Sequence, residues 1–90
     1  MTIFVDASAI VAIVAGEPEA DDFADAIEGH EDRCYCAVGA WEAAHAVARV
    51  RKIDLMTAAA IIADFAHQTG LRLVPIDDAE RSVAIDAAAR

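Results

Sequence analysis

The sequence predicts an α/β fold: a parallel sheet with helices on both faces. Three observations carry the prediction. Short strand-like runs recur three times, at residues 3–5, 33–37 and 71–76, the first of them β-branched and aromatic. Two helical patterns separate each run from the next, giving the order β-α-α-β-α-α-β and then a last helix. At 90 residues, 58% hydrophobic and 26% charged, the chain has room for one domain with a modest core, and it is too apolar to stay disordered.

Each element has its own local cause. Ile3-Phe4-Val5 reads as a buried strand, and Asp6 follows at its end. Residues 8–15 form a short helix, apolar nearly all round and therefore deeply buried, closed by Gly16. Glu17-Pro18-Glu19 opens a second helix with acids at the positive end of the dipole. Ala20, Phe23, Ala24 and Ile27 give it one apolar stripe, and Gly29-His30 ends it. Residues 33–37 form the second strand. Residues 41–52 form a third helix, with Trp41, Ala44, Val47 and Ala48 turned inward and Arg49, Arg51 and Lys52 at its negative end. Residues 55–68 form a fourth helix with two apolar faces, ended by Gly70. Pro75 limits the third strand to three or four paired residues. Asp77 or Asp78 caps a last helix over residues 79–90. Three strands make a small sheet for this class, so the fold reads as incomplete.

Charge and cysteine usage narrow the function. The net charge is −9, and residues 1–32 hold nine acids and no Lys or Arg. Residues 33–53 are the reverse, with four bases against the single acid Glu42. Such a chain is not a bulk nucleic-acid binder; any contact with RNA is local, through a metal or the basic stretch. On a strand Cys34 and Cys36 point the same way but span too far for easy bridging, and they lack partners for a zinc site, so they read as buried reduced thiols. The apolar run 7–15 falls short of the roughly 20 residues of a membrane span, and with Asp6 beside it and no preceding base it is a poor signal peptide. A cytoplasmic location is the expectation.

Two acids stand out. In parallel sheets ligands gather at the carboxyl ends of the strands. Asp6 follows the first strand directly, and Glu42 follows the second by five residues, at the start of its helix. A helix cap explains Asp6 alone, and a dipole-facing acid explains Glu42 alone. Together they offer hard oxygen ligands at one edge of the sheet, a donor set suited to Mg²⁺ or Mn²⁺. His45, three residues from Glu42, is near enough to approach such a cleft, whereas His30 and His67 are scattered. Asp77 and Asp78 also follow a strand, but capping is the simpler role for them.

These residues resemble a known family. Ile3-Phe4-Val5-Asp6-Ala7-Ser8-Ala9-Ile10-Val11-Ala12-Ile13 and Gly16-Glu17-Pro18-Glu19-Ala20 are similar to the opening of a PIN domain, nearest to the VapC toxins of toxin–antitoxin pairs. Trp41-Glu42-Ala43-Ala44 resembles the family's second acidic motif, and Leu73-Val74-Pro75-Ile76-Asp77 its third strand. The resemblance implies a PIN-like three-layer α/β/α fold. It implies a Mg²⁺- or Mn²⁺-dependent endoribonuclease with Asp6 and Glu42 on the metal and Ser8 supporting the first acid. It also implies an RNA substrate, an antitoxin partner and a homodimer, with the helices at 7–15 and 55–68 as their surfaces. The family's last acidic motif and strand find no match here, and Asp77, Asp78 and Asp86 do not replace them. Residues 1–90 are thus expected to be the N-terminal portion of one PIN-like domain. The alternative is a catalytically inactive remnant that only binds a partner. A receiver-like phosphoryl pocket fits poorly, because the only lysine, Lys52, lies at the far end of its helix.

Overall fold

A computed structural model of the protein describes residues 2–75 and, as backbone alone, 83–85. In chain order the elements are β1 (Thr2–Val5), α1 (Ala7–Ala15), α2 (Ala20–Glu28), β2 (Asp32–Tyr35), α3 (Ala37–Arg51), α4 (Leu55–Thr69), β3 (Arg72–Leu73) and β4 (Val83–Ile85). The α/β class and the parallel sheet are as the sequence predicts. The sheet has a fourth strand beyond the three expected, in the order β3-β2-β1-β4. Every pairing is parallel, with Phe4 opposite Cys34 on one side and Ala84 on the other. Val83-Ala84-Ile85 therefore corrects the expectation of a helix there. Alanine favours helix, but three apolar residues beside a buried strand are held by pairing rather than by propensity. The rest of that expected helix, with Asp77, Asp78 and Asp86, lies outside the described residues.

The helices end where local chemistry stops them. Gly16 and Gly70 take positive φ of 71° and 70°, a conformation glycine adopts without strain, and their amides bond back to the last turns of α1 and α4. Asp54 caps α4 through the amide and hydroxyl of Thr57, both at 2.8 Å. In α2 the predicted stripe holds: Phe23 and Ile27 are buried while Asp21, Asp22, Asp25 and Glu28 face water.

One core joins β1 to all four helices. Ile3 and Val5 pack with Ile10 of α1, Phe23 and Ile27 of α2, Val47 of α3 and Ile62 of α4. Phe4 turns the other way, against Cys34 and Val74. This alternation follows from the two-residue period of a strand. Arg33 locks the layers from outside: its guanidinium donates to the carbonyls of His30 at 2.6 Å and Thr69 at 2.9 Å. Arg51 does the same for α1, donating to the Val14 carbonyl at 3.2 Å. Among the described residues, no helix is long and apolar enough to cross a membrane.

Candidate active site

The strand order 3-2-1-4 reverses direction at β1. Such a reversal opens a crevice beyond the carboxyl ends of the strands, where α/β proteins take their ligands. Asp6 is the residue that follows β1 at this point. Its backbone is extended, and its side chain caps α1. The amide of Ala9 donates to Oδ1 at 3.1 Å, and the Ser8 hydroxyl donates to Oδ1 and Oδ2 at 3.2 and 3.4 Å. Capping and ligation are compatible, because a carboxylate accepts several bonds. Ser8 thus stands against Asp6.

The neighbouring strand repeats the arrangement with different chemistry. β2 ends at Tyr35, and Cys36 caps α3 with its thiol, accepting from the Gly39 amide at 3.4 Å. The sequence alone placed the strand through residue 37 and began the helix at residue 41. The helix in fact starts at Ala37, because a cysteine serves as its cap, a role usually taken by Ser, Thr, Asp or Asn. Both cysteines are buried and neither forms a disulfide, as expected.

Two helix N-termini thus meet at one edge. At Gly39 an added Cβ would lie 3.6 Å from Cys36 Sγ and 3.7 Å from the Ala7 backbone nitrogen. The first turn of α3 therefore lies against the residue that follows Asp6. Glu42 sits one helical turn beyond Gly39, on the same side of α3. It is exposed and makes no hydrogen bond or ion pair among the described residues. The longer α3 places Glu42 in the second turn rather than the first.

The donor set fits a hard divalent cation. Mg²⁺ takes one or two protein carboxylates and keeps several waters. Asp6 is half-buried and accepts from Ala9 and Ser8, and Glu42 is exposed on the adjacent helix. Among the described residues, no group of three His, Cys, Asp or Glu side chains gathers as a metal cluster.

The other candidates resolve differently. His30 Nδ1 bonds the Ala26 carbonyl at 2.8 Å and closes α2. His67 is exposed in the last turn of α4. His45 is exposed, edge-on to Trp41, with ring centroids 4.7 Å apart. Trp41 corrects the inward-facing reading: it is 55% exposed, and Ala43, Ala44 and Val47 fill the core instead. Beside Trp41 a groove of about 230 Å³ runs between α3 and α4, with Tyr35 and Leu73 at the strand ends. Sequence reasoning missed this groove. Its signal was the set of alanines, Ala40, Ala44, Ala59 and Ala63, that leaves room between the helices.

The family model described as PIN domain matches residues 3–90. No curated protein matches the chain.

Proposed function

The chain belongs to the PIN domain family, whose members are generally nucleases, and from that premise we propose that it is a metal-dependent endoribonuclease. The observation that carries the reading is the placement of Asp6 at the strand-order reversal, with the first turn of α3 packed against Ala7 and Glu42 one turn further on. Asp6 and Glu42 hold a Mg²⁺ or Mn²⁺ ion. When bound, the ion offsets the charge that develops on a phosphodiester and acidifies water for attack. The chain's own part is positioning. Ala9 and Ser8 fix the Asp6 carboxylate, so it has no freedom to lose on binding. The N-termini of α1 and α3 present partial positive charge to the same edge, which favours a phosphate there.

The finer reading is a toxin, held in check by an antitoxin and acting in the cytoplasm as a homodimer. The apolar side chains exposed at Val50 of α3 and Met56 of α4 support protein contacts beside the turn that joins these helices. α1 offers less than the sequence implied, since Ala9, Ile10 and Ala12 are spent in the core. A second reading, a partner-binding remnant without catalysis, is favoured by the lack of a three-ligand cluster among the described residues.

RNA cleavage separates the two. The protein is incubated with a structured RNA in Mg²⁺, in Mn²⁺ and in chelator. Cutting that needs the metal and is lost in Glu42→Gln supports the nuclease. No cutting beside intact antitoxin binding supports the binding module, and metal-independent cutting contradicts the metal site.

A further inference from the structure

The exposed face of α3 carries a second pattern. Trp41, His45 and Arg49 follow at intervals of four residues, and Lys52 closes the helix on the same side. All four are exposed. His45 meets Trp41 in a T-shaped contact, with planes at 83°, and the indole beside the groove remains 55% exposed. Arg49 and Lys52 make no hydrogen bond or ion pair among the described residues, whereas Arg51 is engaged with Val14. The stripe spans about 12 Å from Trp41 to Arg49. It begins beside the groove and within one residue of Glu42.

We propose that this face is the track for single-stranded RNA, with one unpaired base stacked on Trp41 at the mouth of the groove and the following phosphates met by Arg49 and Lys52. The proposal rests on the ribonuclease reading and names its substrate contact. Aromatic faces and cations in alternation are the chemistry of single-strand binding. The groove is small, about 230 Å³ against roughly 300–1,000 Å³ for drug-sized pockets, which suits one base. A docked helix needs apolar anchors along its whole length, and here the exposed apolar side chains Trp41 and Leu73 lie at the groove, with Val38 about a turn before Trp41, while the stripe runs on from Trp41 into Arg49 and Lys52. Charge favours RNA: in a chain of net charge −9, residues 33–53 are the basic part, and Arg49 and Lys52 have no acidic partner among the described residues.

Trp41 is the only tryptophan, so its fluorescence reports on this face alone. The intact chain is titrated with a short single-stranded RNA, in chelator and again with Ca²⁺, and binding is followed independently by anisotropy of a dye on the RNA. The expected result is saturable quenching that tracks the anisotropy. Trp41→Ala weakens binding about tenfold or more, and Trp41→Phe restores most of it. Arg49→Ala lowers the salt dependence by about one phosphate contact. Binding without quenching, or unchanged in Trp41→Ala, overturns the track and leaves the nuclease reading intact. Emission that shifts with protein concentration and not with RNA assigns the face to a second copy instead. No RNA binding in either condition, together with no cleavage, overturns both readings.

Discussion

The two edges of the sheet use carboxylates in opposite ways. At the amino edge the first residues of three strands converge: Thr2 of β1, Asp32 of β2 and Arg72 of β3. The Thr2 hydroxyl donates to Asp32 Oδ2 at 2.6 Å, and Arg72 Nη2 donates to both oxygens at 3.1 and 3.0 Å. First the hydroxyl and then the guanidinium hold this carboxyl below the usual range. At the carboxyl edge the Ala9 amide and the Ser8 hydroxyl donate to Asp6, and Glu42 makes no hydrogen bond or ion pair among the described residues. A carboxylate joined to a cation ties strands together. The bonds that Asp6 accepts from Ala9 and Ser8 instead order the start of a helix. The contrast separates a tie between strands at Asp32 from a helix cap at Asp6.

The comparison breaks first through the core beneath both edges. Ile10 is 1% exposed, and Ile10→Ala is expected to cost about 2–5 kcal/mol, seen as an earlier denaturant midpoint. If activity per folded molecule then falls as well, the two edges are not independent. Next in size, Glu42→Gln is expected to lower RNA cleavage about 100-fold or more, with the melting temperature within a degree or two. Asp32→Asn should leave cleavage unchanged; a matching loss there would erase the distinction between the edges. Asp6→Ala removes a cap and is expected to cost about 1 kcal/mol of stability, which Asp6→Asn retains.

Acid sharpens the contrast further. The folded Asp32 and Asp54 carboxyls lie below their ordinary values, Asp54 because the Thr57 amide and hydroxyl bond it. A lowered folded value means the unfolded chain takes the proton more readily, so the contribution is present at neutral pH. It is lost as pH falls through the ordinary carboxylate range toward the lower folded values. Acid titration of stability should therefore be flatter below pH 5 in Asp32→Asn than in the parent. The smallest effect is at Gly39, where an added Cβ makes ordinary contacts. Gly39→Ala is expected to be neutral to about 1 kcal/mol stabilising, by helix propensity. A clear loss of stability would mean that α1 and α3 meet more tightly than this contact suggests.

Much of this was legible in the sequence, for identifiable reasons. Ile3-Phe4-Val5 followed by Asp6 is a strand ended by a capping acid, and both parts are local. Gly16 and Gly70 mark helix ends because only the left-handed conformation continues the chain there. Glu42 could be singled out because it is the one acid in a basic stretch. What failed was non-local or unusual. A thiol cap hid the first turn of α3, so the outward position of Trp41 was read as inward. β4 is three residues whose strand character comes from pairing with β1, not from their own preference. The Thr2–Asp32–Arg72 tie joins residues 30 and 40 positions apart, which no local pattern announces.

The central claim is that Asp6 is kept for its charge and not only for its capping oxygen. Asp6→Asn separates the two, since asparagine caps as well as aspartate but binds a divalent cation poorly. RNA cleavage in Mg²⁺ and thermal melting are measured side by side for the parent and Asp6→Asn. An unchanged melting temperature with cleavage lost is the predicted result. Cleavage retained at the parent rate would contradict the account and leave Asp6 a helix cap.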